Sequence, residues 1–135
     1  MTSLSRRDAL RTLAATIGAQ LLVARIAGAQ SEHPEPRAGI TAEKLPSLEQ
    51  LADTPDAIPV FNMVREIPGV VDGIRCNCGC ADKKDFYSLL SCYEGNEAMA
   101  KHCGVCQGQG RLAYRLHKAG KSLDEIRKGI DARFG

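Results

Sequence analysis

The sequence predicts a small all-α domain of about four to five short helices around a cysteine-rich loop. Three observations carry that expectation. Apolar residues recur at helical spacing in several short stretches, with little strand-like alternation. Capping residues, prolines and glycines bracket those stretches. All six cysteines fall between Cys76 and Cys106, and the first three sit among Asn77, Gly79 and Asp82, which favour a turning loop.

The elements follow in order. Ser47 with Gln50 forms a capping-box pattern for a short helix carrying Leu48 and Leu51. From Asp56 to Glu66, Ile58, Phe61, Met63 and Val64 lie near one helical face, and Pro55 and Pro59 delay its start. Pro68 stops that helix and suits the first turn of another, Pro68 to Gly73, with Val70, Val71 and Ile74. Arg75 to Asp82 reads as a loop. Asp85 can cap a helix through Phe86, Leu89 and Leu90 to about Cys92. Glu94 to Lys101 is a polar connection. Cys103 begins a helix to Ala119, with Leu112, Leu116 and Ala119 inward and Gly120 just past its end. Ser122 and Glu125 form a second capping box for a last helix striped by Leu123, Ile126, Ile130 and Phe134.

The chain has 135 residues, a one-domain length. Its start reads as a leader. Basic Arg6, Arg7 and Arg11 precede a moderately apolar run from Thr12 to Ile26, and Ala27-Gly28-Ala29 is a small-x-small cleavage pattern. The Arg6-Arg7 pair gives the leader a twin-arginine character. Gln20 and Arg25 interrupt the run, so it is a poor membrane span. The expected organisation is a signal peptide over 1–29, a flexible linker over 30–45 and a cysteine-rich helical domain over 46–135. The expected partners are the twin-arginine translocase and signal peptidase, and the expected location is periplasmic or extracellular, with no stable membrane span after cleavage.

The whole chain carries a formal charge of +2, with 18 basic and 16 acidic residues. Removal of the leader leaves 14 basic and 15 acidic residues, so the positive balance belongs to the leader. With no basic field and few aromatics, nucleic-acid binding is not expected. No Ser-His-Asp set or phosphate loop stands out.

Chemistry therefore concentrates in the cysteines. Cys76, Cys78 and Cys80 alternate, and Gly79 permits a tight turn that wraps them around one point. Cys103 and Cys106 have the C-x-x-C spacing, which lets two thiolates reach one metal or lets one thiol attack while the other resolves. A helix N-terminus favours a thiolate at Cys103.

Three readings compete, and the leading one is soft-metal binding for buffering or delivery of the metal outside the cytoplasm. Soft-metal binding would use Cys76, Cys78, Cys80, Cys103 and Cys106, with Cys92 and His102 as further ligands and Cu(I) or Zn(II) as the metal. An iron–sulfur cluster is the less favoured cofactor, because ferredoxin spacing is missing. Thiol–disulfide exchange would use Cys103 as attacking and Cys106 as resolving thiol, with a redox partner protein. Structural disulfides are the third reading, although closely alternating cysteines make poor staples. His117 and His33 read as bystanders, one solvated and one in the linker.

Taken together, I-R-C-N-C-G-C, S-C-Y, K-H-C-G-V-C and the closing L-D-E-I-R-K-G-I-D-A-R-F resemble the PCYCGC-motif proteins, also called the CYCXC family of (seleno)proteins. The resemblance spans Ile58 to Phe134. It implies an exported bacterial protein whose motif positions fall on Cys76, Cys78, Gly79 and Cys80, followed by Cys92, Cys103 and Cys106. Three departures stand out: Arg75 replaces proline, Asn77 replaces tyrosine, and the histidine after the triple is missing. Selenocysteine in some relatives implies redox chemistry, which moderates the metal reading without reversing it.

Overall fold

A computed structural model describes residues 32–84 and 86–135. Two 3-10 turns, Glu49–Leu51 and Pro55–Ala57, lead into helix α1 (Ile58–Glu66) and then α2 (Pro68–Asp72). A short helix α3 (Cys80–Lys83) follows the first cysteines. Two more 3-10 turns, Leu89–Tyr93 and Met99–Lys101, precede the long helices α4 (Gly104–Lys118) and α5 (Leu123–Phe134). Among the described residues there is no strand, so the domain is all-helical as the apolar spacing predicts. The leader expected over 1–29 lies outside the described residues. No helix among those described is long and apolar enough to cross a membrane.

The core forms where α1, α4, α5 and the Leu89–Tyr93 turn meet. Leu51, Val60, Phe61, Val64, Val71, Ile74, Leu89, Leu90, Tyr93, Ile126 and Ile130 are fully buried there. Phe61 and Tyr93 meet edge to face, with ring centroids 4.9 Å apart. Such a pair adds about 0.5–1.5 kcal/mol beyond its area burial. Close approach is set by small residues. A Cβ at Gly110 would drive into the Tyr93 hydroxyl, and one at Gly129 would stand 2.8 Å from Leu116. Gly110 and Gly129 thus bring α4 onto the core and α5 onto α4.

Several elements differ locally from the sequence reading. The Ser47–Gln50 box is made, with the Ser47 amide donating to Gln50 Oε1 at 2.8 Å, but Leu48 is 59% exposed and only Leu51 enters the core. On α1 the buried residues are Val60, Phe61 and Val64, while Ile58 and Met63 sit half-buried at its flank. On α4 the buried stripe is Cys106, Gln109, Gly110 and Ala113, with Leu112 and Leu116 at its edge and Ala119 exposed. Small residues won the inward face because Tyr93 and Val60 already fill the space against Gly110. The expected helix to Cys92 is a short 3-10 turn, since Ser88 before it is extended (φ −149°, ψ 176°). Its expected cap, Asp85, lies outside the described residues. The Ser122–Glu125 capping box forms in full, and Gly120 (φ +78°) turns the chain after α4.

The larger correction concerns residues 32–45, expected as a flexible linker. They are fastened to the helical body by polar anchors. Arg37 clamps the fully buried Asp72 through its backbone N–H (2.8 Å) and its guanidinium (2.7 Å), and the Ser88 hydroxyl donates to the same carboxylate at 2.8 Å. His33 Nδ1 accepts from the Arg75 amide at 3.0 Å, so its Nε2–H donates to Asp131 at 3.0 Å. Arg127 of α5 donates to the Pro34 carbonyl at 2.8 Å and the Gly73 carbonyl at 2.9 Å. Leu45 is buried in the core. Polar composition alone signals a linker. His33 and Arg37 have specific partners far away in sequence, which composition does not reveal.

Candidate metal centre

Four of the six cysteines converge. The Sγ atoms of Cys76, Cys78, Cys92 and Cys106 all lie within 4.8 Å of one another. Cys76, Cys92 and Cys106 are buried and Cys78 is half-buried. The Cys76 and Cys106 sulfurs approach to 3.6 Å. A tetrahedral zinc with Zn–S bonds of about 2.3 Å separates its sulfurs by about 3.8 Å. The cluster is thus close to the size of a four-thiolate site and far from the ~2.05 Å of a disulfide. Among the described residues Cys76, Cys80, Cys92, Cys103 and Cys106 form no disulfide.

Three separate segments deliver those sulfurs. Cys76 and Cys78 lie on the loop after α2, which turns at Gly79 (φ +71°). That loop is tied to the Cys92 segment by the Leu89 amide, which donates to the Ile74 carbonyl at 2.7 Å. Cys92 sits in the Leu89–Tyr93 turn, flanked by buried Leu90 and Tyr93. Cys106 occupies the first turn of α4, facing inward.

Gln109, one turn further along α4, is wholly buried. Its Oε1 accepts from the Asn77 amide at 3.0 Å, and its Nε2 donates to the Arg75 carbonyl at 3.1 Å. It therefore grips the backbone on both sides of Cys76. Tyr93 adds a second brace, its hydroxyl donating to the Cys106 carbonyl at 2.8 Å. Neither brace is visible as a site residue in the sequence. The available signal for Gln109 was its place three residues after Cys106, which puts both on one helical face.

The electrostatics follow from crowding four thiols. Cys76 is lowered to about 3, chiefly because the Cys106 and then the Cys92 thiol hydrogen-bond to its sulfur, with the Cys78 amide helping. Cys106 is pushed up by its contact with Cys76, then by Cys92 and by burial. Cys92 is pulled down by its bond to Cys106, but Cys76, burial and the negative charge on Cys76 and Cys78 outweigh this and push it up. Without a cation, Cys76 gives up its proton first, while Cys92 and Cys106 hold theirs. Further deprotonation requires positive charge at the centre, which a soft divalent ion supplies as it displaces the protons.

The remaining expected site residues lie outside this group. Cys80 opens α3 and is half-buried. Cys103 is the N-cap of α4, where its sulfur accepts from the Cys106 amide at 3.5 Å. The C-x-x-C pair is therefore divided, with Cys106 in the cluster and Cys103 at its border. His102 and His117 are exposed. Cys92, ambiguous in the sequence, is a full member of the cluster. It was hard to read because nothing near it in sequence carries a ligand spacing. Among the described residues, then, a four-cysteine cluster of suitable size and burial can hold a metal ion.

Comparison with protein-family models finds no match, and neither curated proteins nor solved structures give one.

Proposed function

We propose that this domain binds one soft metal ion through Cys76, Cys78, Cys92 and Cys106, with Zn(II) as its best-fitting ion. The observation that carries this reading is the mutual approach of four sulfurs within 4.8 Å, delivered by three segments. Cu(I) is satisfied by two or three thiolates, whereas a fourth sulfur at tetrahedral spacing favours Zn(II). Burial of three ligands makes the site closed. Its metal would be retained as part of the fold and exchanged slowly, which fits storage better than rapid delivery. The arginine-pair leader supports export by the twin-arginine translocase, followed by signal-peptide removal, with the folded domain working in the periplasm or outside the cell. Membership of the PCYCGC-motif proteins remains part of this proposal, supported by the ordered cysteine motifs alone.

The test is metal analysis of the chain purified without chelator, beside Cys92→Ser and Cys80→Ser variants. One zinc per wild-type chain, lost in Cys92→Ser and kept in Cys80→Ser, is expected. Wild-type protein that binds neither zinc nor copper would overturn the reading. One Cu(I) bound in preference to zinc would overturn the choice of ion.

A further inference from the structure

The division of the C-x-x-C pair has a chemical consequence. Cys106 is a buried member of the four-sulfur cluster, yet its backbone amide also donates to the Cys103 sulfur at 3.5 Å. Cys103 stands at the N-cap and Cys106 three residues on, a spacing at which two cysteines at a helix start can form a disulfide. Cys106 cannot serve both partners. A sulfur in a disulfide has lost its thiolate and is no longer a strong metal ligand.

We propose that Cys103 and Cys106 form a thiol–disulfide exchange site for small disulfides, and that its oxidation ejects the metal. The proposal rests on the four-thiolate reading above and adds the control of that site. Exposure sets the order of events. Cys106 is fully buried, while Cys103 is half-buried and flanked by exposed His102, Gly104 and Val105. A disulfide reagent therefore meets Cys103 first. The Cys103 sulfur attacks one sulfur of the reagent, the reagent's S–S bond breaks, and its other half leaves as a thiol. The Cys106 sulfur then attacks Cys103 in the mixed disulfide and frees the second half as a thiol. Two electrons pass from the protein to the reagent, and the released thiols take up protons from Cys103 and solvent. The metal loses its Cys106 bond and keeps three sulfurs, of which Cys78 is only half-buried. It can then dissociate.

The N-cap position offers a clean variant. Serine is a preferred N-cap residue, so Cys103→Ser keeps the helix start while removing the attacking sulfur. The experiment treats the zinc-loaded full chain with oxidised glutathione. Zinc release is followed with a chromogenic chelator, and disulfides are mapped by peptide mass. The wild type is expected to release one zinc as a 103–106 disulfide forms. Cys103→Ser should release it at least about tenfold more slowly, and Cys80→Ser at the wild-type rate. Release from Cys103→Ser at the wild-type rate, or a first disulfide elsewhere, overturns the proposal. If the chain holds no zinc, the four-thiolate reading fails separately. Mapping the first disulfide of the reduced chain then decides the exchange site alone: 103–106 upholds it and any other pair removes it.

Discussion

Gln109→Met separates the brace from the ligands. Methionine has nearly the volume of glutamine and fills the same buried space, so little cavity forms. What disappears is the pair of hydrogen bonds at 3.0 and 3.1 Å to the Asn77 amide and the Arg75 carbonyl. A buried backbone group left without a partner costs about 1–3 kcal/mol. Both groups are part-buried, so the lower half of the range applies, and the sum is about 2–4 kcal/mol. That is a large share of a small domain's total of about 5–15 kcal/mol. The same loss frees the backbone on both sides of Cys76, so zinc affinity should fall by about 10–100-fold, as for other outer partners of metal ligands. Urea unfolding of the reduced, metal-free chain reads the first effect, and competition with a chromogenic chelator reads the second. A variant with the wild-type urea midpoint and wild-type zinc affinity would show that Gln109 positions nothing.

Other perturbations have equally definite outcomes. Asp72→Asn removes the charge that Arg37 and Ser88 surround, and should cost about 1–3 kcal/mol at neutral pH, since the Arg37 guanidinium left behind is 38% exposed and stays hydrated. In the wild type, burial pushes Asp72 up, but its bonds to Arg37 and Ser88 outweigh that and hold it below the ordinary 3.8. Its contribution is therefore complete above that value and is lost as pH falls through the lower folded value, so the gap between wild type and variant in urea midpoint should close in acid. A gap that widened below about pH 4 would contradict this. Gly110→Ala pushes a methyl group at Tyr93 and should cost about 1–3 kcal/mol, read as a lower Tm. An unchanged Tm would mean that α4 shifts freely. In reduced, metal-free protein the ultraviolet thiolate band should persist at pH 5 and vanish in Cys76→Ser, since Cys76 is lowered to about 3. A band that emerges only near the ordinary thiol value of about 8.5 would refute the shared-proton arrangement.

The sequence was most informative where local chemistry decides structure. The Ser122 and Glu125 pair, Gly120 and the Ile126–Ile130 stripe describe α5 almost completely, because capping and amphipathic spacing are local. It was less informative where one residue's neighbours come from far along the chain. His33, in a polar proline-containing stretch, is held by Arg75 and Asp131, partners 42 and 98 residues away. The same distinction governs the site. Clustering of the cysteines showed where the chemistry lies. Membership of the cluster depended on which face of α4 turns inward and how the Leu89–Tyr93 turn meets the Cys76 loop. That is why Cys92 joins the four sulfurs while Cys80 and Cys103, at better-recognised spacings, stay at the margin.

X-ray absorption at the zinc edge of the zinc-loaded chain tests the four-thiolate centre most directly. Four sulfur scatterers at about 2.3 Å are predicted, unchanged when Cys80 becomes serine. A shell with fewer than four sulfurs in the wild type, or one containing a histidine nitrogen, would contradict it.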